Sequence, residues 1–254
     1  MRESVNSDIF YYVFYFACIA INLCDIIAFD KMILEGLLMK KLCLLALKDF
    51  LLAICAGLSI SIGCVAFLAS GNKIVGALFF VIGLFMVCNF NFNLFTGKVC
   101  YAFDNKPIYL GKLAIIWLGN FAGACIAALA VGATRLDGLL ASVQTIVQTK
   151  MDDNLLSLFV LGIFCNILIY LAVHGYKNFD NAIAKTLALV FGVSVFVLCG
   201  FEHCVADMFY FVFAGAWSWS MVLRLLMITL GNIVGGLLFP AIFKLTGYLD
   251  KKQL

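Results

Sequence analysis

Residues 196–208 read F-V-L-C-G-F-E-H-C-V-A-D-M, and they interrupt an apolar run otherwise long enough to cross a bilayer. Glu202, His203 and Asp207 place three ionisable groups within six residues. One such group near the centre of a membrane helix costs about 2.5–3.5 kcal/mol on insertion scales. A cluster of them is tolerable where it faces protein or a water-filled path instead of lipid. Gly200 in front of the cluster is where the helix is expected to break. A broken helix carrying a histidine at membrane depth is a mark of a transport site more than of an enzyme.

The rest of the chain has the composition that such a site needs. Of 254 residues, 65% are hydrophobic and 12% charged, and the mean hydropathy is +1.10. A soluble domain has about twice that charged fraction, so the chain reads as an all-α polytopic membrane protein in contact with the lipid bilayer. The net charge of +3 is small, and no basic patch with interleaved aromatics points to nucleic acid. The eleven cysteines contain no C-x-x-C pair and lie mostly inside apolar runs. They read as packing residues, with no metal site and no cofactor expected.

Hydropathy places six spans, using about 20 apolar residues per crossing. These are Phe50–Ala69, a second from Ile74 interrupted at Asn89–Gly97, Leu110–Val131, Leu155–Val173, a fifth from Ala182 that breaks near Gly200, and Met221–Phe243. Pro240 is expected to kink or end the last of them. Residues 48–245 then form a transmembrane channel domain, preceded by an N-terminal segment (1–47) and followed by a tail (246–254). Ile9–Phe29 is long enough to span, but Asn22, Asp25 and its aromatics favour an interfacial helix over a seventh span. Twelve lysines fall on one side of the six spans, against four Lys or Arg on the other. The positive-inside rule puts both termini in the cytoplasm.

An internal repeat organises the spans. L-G-N-F-A-G-A at Leu118–Ala124 recurs as L-G-N-I-V-G-G at Leu230–Gly236, and the interruption N-L-F-T-G at Asn93–Gly97 has a counterpart in G-F-E-H at Gly200–His203. Three helices per half is an odd number, so the halves enter the membrane from opposite sides. The expectation is two inverted three-helix repeats, with helices 2 and 5 broken and a site where the breaks meet. The glycines of both motifs read as small-x-x-x-small packing faces.

These motifs carry a resemblance. G-F-E-H-C-V-A-D-M resembles the fifth-helix signature of the formate/nitrite transporter family, usually G-[FY]-E-H-x-x-A-N-M. L-F-T-G at Leu94–Gly97 is similar to its helix 2 loop, L-G-I-F-C-N-I-L-I-Y-L-A-V at Leu161–Val173 to its fourth helix, and T-L-G-N-I-V-G-G at Thr229–Gly236 to its sixth. The resemblance covers roughly residues 48–245. It implies an aquaporin-like fold, a homopentamer with one pore per protomer, and passage of small weak-acid anions across a membrane, expected to be the bacterial inner (cell) membrane. Formate and nitrite stand ahead of hydrosulfide.

By the same resemblance, His203 matches the central pore histidine and Thr96 a pore threonine that can hydrogen-bond it. Lys150 matches the lysine at the outer mouth, Glu202 the brace of the broken helix, and Asn166 the fourth-helix asparagine near it. Phe80, Leu84, Leu94 and Phe196 fall at the apolar constrictions. The implied mechanism is proton-linked passage, in which an anion is neutralised before it meets a dry ring of Phe and Leu. Two departures stand out. Asp207 replaces the usual asparagine, making it a modulator of proton handling, and Asn91-Phe92-Asn93 replaces small residues before L-F-T-G.

Without the resemblance, Lys150 reads as a solvated loop charge among Gln148, Thr149, Asp152 and Asp153. The constriction residues read as packing, and His174 as an interfacial residue. An aquaporin-type pore for neutral solutes is the competing class, although neither Pro107 nor Pro240 sits in an Asn-Pro-Ala motif. An enzyme or metal site built on Glu202, His203 and Cys204 lacks a second cluster to complete it.

Overall fold

The computed structural model describes residues 34–215 and 217–247. The expected interfacial helix at 9–29 and the tail beyond Gly247 lie outside the described residues. Nine α-helices are described: α1 (Leu34–Ala69), α2 (Lys73–Asn89), α3 (Phe95–Val99), α4 (Tyr109–Gly132), α5 (Leu140–Asp152), α6 (Leu155–Asn178), α7 (Ala182–Cys199), α8 (Cys204–Ala214) and α9 (Trp219–Thr246). Short 3-10 turns at Ala102–Asp104 and Arg135–Leu139 complete the described elements.

Local chemistry sets several of these boundaries. The Asn72 side chain accepts the backbone N–H groups of Ile74 and Val75 at the start of α2. Asn181 does the same for Ile183 and Ala184 at the start of α7. Side-chain caps of this kind hold donors that have no partner inside the helix. Gly200, Gly215 and Gly247 end α7, α8 and α9 in the left-handed conformation.

Packing follows one pattern twice. α1 lies against α2 and α4, while α6 lies against α7 and α9. The two sets meet where α2 packs on α7, where α8 packs on α4, and where α3 packs on α9. The tightest approaches are backbone to backbone. A Cβ on Gly123 would sit 2.3 Å from the carbonyl oxygen of Ile54, and one on Gly235 would sit 2.1 Å from that of Ile163. Both glycines belong to the repeated L-G-N motifs, and their reading as close-packing faces holds.

The exterior is apolar, and a small set of polar side chains is buried within a largely hydrophobic core. Large apolar side chains such as Phe79, Phe191 and Ile183 are exposed, whereas Asn120, Asn166, Glu202, His203, Asp207 and Asn232 are buried. Five described helices, the α1 portion from Lys40 together with α4, α6, α7 and α9, are long and apolar enough to cross a membrane. An apolar exterior around an apolar core that encloses a small polar cluster suits lipid as the surrounding solvent.

Two features differ from hydropathy alone. α1 begins at Leu34, well before the apolar stretch at Phe50. α9 runs through Pro240 to Thr246, so the proline does not end it. Pro240 lies near the C-terminal end, where its missing N–H removes one ladder bond and leaves the rest of the helix intact.

The close approaches predict a test. Gly235→Ala drives a methyl into the Ile163 carbonyl and is expected to destabilise the protein by about 1–3 kcal/mol or more. Gly111→Ala, with open space around its Cβ, leaves stability near wild type. Thermal melting of both variants in detergent measures the difference, and equal melting temperatures would remove backbone contact as the reason for Gly235.

Candidate functional site

Two non-helical stretches build the site. Residues 90–94 separate α2 from α3, and residues 200–203 separate α7 from α8. The first turns through Asn91 at φ 54°, the second through Gly200 at φ 73°. Each leaves backbone donors and acceptors outside any helix. Asn93, Leu94, Glu202 and His203 are nevertheless all buried, and a buried unpaired polar group costs about 1–3 kcal/mol.

Two asparagines answer that cost with matching sets of bonds. Asn120 of α4 accepts the Phe95 N–H at 2.8 Å through Oδ1. Its Nδ2 donates to the carbonyls of Ala53 at 2.8 Å and Asn93 at 2.9 Å. Asn232 of α9 accepts the Cys204 N–H at 2.9 Å, and its Nδ2 donates to the carbonyls of Gly162 and Glu202 at 2.9 and 2.8 Å. The Asn93 N–H reaches the Leu52 carbonyl, as the Glu202 N–H reaches that of Leu161. Every member of one set has a counterpart in the other.

The start of α3 meets the second stretch at Thr96 and His203. Thr96 Oγ1 lies 2.9 Å from His203 Nε2, and the backbone N–H of Ala206 donates to His203 Nδ1 at 3.2 Å. A backbone N–H can only donate, so Nδ1 accepts. The proton of the neutral ring therefore sits on Nε2, directed at the threonine oxygen. Phe196 stacks on the imidazole at 5.6 Å between centroids, and Phe80 meets Phe196 edge-on at 5.7 Å. Asn166 ties the stretches together from the side, donating to the carbonyls of Thr96 and Asn232. It makes no hydrogen bond to the Glu202 side chain. Leu84 and Leu94 are buried in the same core, and Leu94 also lines a separate cavity with Phe92 and Lys98.

A charge cluster forms the other part of the site. Lys150 is not a solvated loop charge: it lies in the last turn of α5 with its side chain 11% exposed. Its ammonium pairs with Glu202 and, at 2.9 Å, with Asp207 Oδ1. The second Asp207 oxygen is buried with no hydrogen-bond partner among the described residues. One ammonium facing two carboxylates leaves the trio with an excess negative charge when all are ionised.

Three residues outside the sequence-level expectations position this site. Asn120 and Asn232 sit inside the repeated L-G-N motifs, where the flanking glycines draw the attention, yet an amide in the middle of an apolar span is itself a signal. Arg224 is the third. Its Nε donates to the Lys150 carbonyl at 3.0 Å, and its Nη2 reaches the carbonyls of Met151 and Asp153. The guanidinium thus caps the end of α5 and holds the backbone that aims Lys150 inward.

An apolar helical bundle folded around a buried polar site of this kind defines an integral membrane transporter. The chain belongs to the formate/nitrite transporter family, whose sequence profile matches residues 29–246. It is 30% identical over 209 residues to a probable formate transporter of Methanothermobacter thermautotrophicus, covering 70% of this chain and 76% of that one. It is 29% identical over 236 residues to the formate channel FocA of Escherichia coli strain K12, covering 75% and 82%. Among solved structures, a pentameric formate channel with formate bound superimposes with a TM-score of 0.67 at 29% identity, over 80% of this chain and 98% of that one. An ion channel of the same family gives a TM-score of 0.69 at 26% identity, over 76% and 87%. The chain is therefore a membrane transporter or channel of this family and not an enzyme.

Asn232→Ala strands the Cys204 N–H and the Glu202 carbonyl, while the Gly162 carbonyl keeps its partner inside α6. A loss of about 2–4 kcal/mol is expected, the worth of two unpaired buried groups. Chemical unfolding in detergent measures it. A variant as stable as wild type would mean that the amide does not hold the interruption.

Proposed function

We propose that the chain is a channel for small monovalent weak-acid anions, formate or nitrite, with proton-linked passage past His203. The observation that carries this reading is the Thr96–His203 bond at 2.9 Å, which joins the start of α3 to the second non-helical stretch beside the stacked Phe196 and its partner Phe80. Formate channels among the relatives and a formate-bound pentameric channel among the solved structures support the substrate class and a homopentamer. The matching bonds of Asn120 and Asn232 support six spans arranged as two inverted repeats over residues 48–245, with the second and fifth interrupted. The lysine distribution supports cytoplasmic termini, with the bacterial inner membrane as the expected site.

The mechanism follows from charge and dryness. An ion entering a ring built from Phe80, Leu84, Leu94 and Phe196 loses its water, which costs several kcal/mol or more unless it is paired or neutralised. The Nε2–H of His203 and the Thr96 hydroxyl supply donors at that point. A proton taken up from solution neutralises the anion there, the neutral acid crosses, and the proton is released again beyond the ring. Lys150 is the cation at its mouth, but Glu202 and Asp207 both pair with it, so it draws an anion inward only when one carboxylate of the trio is protonated. Asp207 modulates the mouth, because its carboxylate opposes an approaching anion.

Proteoliposome uptake tests the reading. Formate and nitrite enter faster with an inward proton gradient, and glycerol stays out. Hydrosulfide flux exceeding that of both would reassign the anion, and glycerol flux without anion flux would move the chain to the neutral-solute class. His203→Ala loses the wild-type pH dependence; a variant that retains it removes the histidine from the proton path.

Asp207→Asn deletes one negative charge beside Lys150. Formate uptake at neutral pH is expected to rise about fivefold, the effect of removing a like charge worth about 1 kcal/mol near the path. Acidification neutralises the carboxylate in the wild type and has no such group to act on in the variant. The wild-type rate therefore climbs more steeply as pH falls. Parallel pH profiles would exclude Asp207 as the modulator.

A further inference from the structure

The Lys150 cluster holds more acid than base. An ammonium has three N–H donors; here one is directed at Glu202 and one at Asp207 Oδ1, the latter at 2.9 Å. The lysine side chain is 11% exposed, against 6% for Glu202 and 2% for Asp207, so the cation is the member most open to water. Asp207 Oδ2 is buried and bonded to nothing among the described residues.

The surroundings offer these acids no further counter-charge. Cys64 from α1, Cys165 from α6, and Cys204 and Tyr210 on α8 itself interact electrostatically with Asp207. Towards α3, His203 is held by Thr96 and the Ala206 N–H. The face that α4 buries carries the Cys125 thiol and no other titratable side chain. From α9, the Arg224 guanidinium is taken up by the carbonyls of Lys150, Met151 and Asp153 and by Ser220. Beyond Lys150, Asp152 bonds Gln148 and Asp153 bonds Ser157.

With both acids ionised the trio carries one net negative charge. A monovalent anion on the third N–H would raise that to two around a single cation. An uncompensated buried charge costs several kcal/mol, more than the about 1.5–3 kcal/mol that one hydrogen bond to a charged group returns. One proton on the trio removes the conflict. Asp207 Oδ2 takes it at least cost, because it has no bond to lose and Oδ1 keeps its bond from Lys150. Protonation also turns Oδ2 from an unsatisfied acceptor into a donor. The asparagine usual at this position would donate through its amide at every pH, whereas aspartate donates only while it carries the proton.

We propose that Lys150 and Asp207 form a proton-conditional site for a small monovalent oxyanion, in which one proton binds at Asp207 Oδ2 with each anion and donates to that anion. The proton arrives from solution and returns to solution when the anion moves on, so none is transferred to the anion at this site. Glu202 stays ionised as the lysine's counter-charge. This rests on the channel reading above and makes Asp207 a co-ligand of the anion.

Infrared difference spectroscopy on the full-length protein in a lipid film reads the proton without flux. Nitrite, which has no carbonyl of its own, is washed in and out at neutral pH. The wild type is expected to gain the carbonyl band of a protonated carboxylic acid, shifted in D2O, and to lose a carboxylate band. Asp207→Asn is expected to show neither change. Half-saturating nitrite rises about tenfold per pH unit on the alkaline side in the wild type, the linkage of one proton to one anion. In the variant, followed by the nitrite bands, it does not change with pH.

A carbonyl band that persists in Asp207→Asn places the proton on Glu202 and overturns the assignment. No carbonyl band in the wild type overturns the site whether or not the variant folds. Absence of anion uptake in proteoliposomes with the band intact would remove the channel reading and leave the site. Normal uptake without the band would remove the site alone.

Discussion

The structure depends on how backbone polar groups are satisfied where a helix stops inside an apolar protein. Water cannot serve groups buried at Asn93 or Glu202, so the protein must supply the partners. Asn120 and Asn232 each close a donor and two acceptors across three chain segments. An amide is the smallest side chain that can accept and donate twice from one position. Aspartate lacks the donors and leucine lacks both. The reach of each amide depends in turn on helix approach. Gly123 and Gly235 let α4 meet α1, and α9 meet α6, at backbone contact, which brings the Ala53 and Gly162 carbonyls within 2.8 and 2.9 Å of the amides.

With both interruptions pinned, the side chains between them acquire fixed places. Thr96 follows directly on Phe95, whose N–H is held by Asn120. His203 directly precedes Cys204, whose N–H is held by Asn232. The hydroxyl and the imidazole meet because their neighbours in sequence are tethered, and Asn166 closes the arrangement by bonding the Thr96 and Asn232 carbonyls. A histidine buried in this way is costly unless both ring nitrogens are paired. Here the Ala206 N–H and the Thr96 hydroxyl pair them both.

Much of this is legible in the chain, for identifiable reasons. Hydropathy reports membrane crossings because a span must be apolar for its whole length, and the interruption at Gly200–His203 shows because charge is rare in such runs. The repeat shows because both L-G-N motifs keep the same residues for the same contacts. Lys150 is the instructive failure. Its neighbours Gln148, Thr149 and Asp152 are polar, and composition cannot tell a surface loop from an amphipathic helix whose one inward position is a lysine. What turns it inward is Arg224, 74 residues away in sequence, and a contact of that separation leaves no local pattern. The bonding capacity of Asn120 and Asn232 is hidden for a similar reason, since the sequence shows the amide and not the carbonyls it must reach.

The distribution of charge gives the molecule an electrical asymmetry that follows from the same architecture. Holding Glu202 at the second interruption places a carboxylate beside Lys150, and Asp207 adds another, so the cation there is neutralised by its own scaffold. At the first interruption the corresponding positions are filled by Asn93 and Leu94, and no acid is fixed there by the Asn120 bonds. Asp49 approaches that stretch but is held by Lys112 and the Asn93 amide, and neither Lys98 nor Lys177 is ion-paired with a carboxylate among the described residues. Two interruptions with matching backbone bonds therefore present opposite electrostatics. The Lys150 ammonium is already shared by two carboxylates, whereas the stretch at Leu94 has Lys98 and Lys177 beside it. The backbone solution is common to both, and the side chains it carries are what distinguish one interruption from the other.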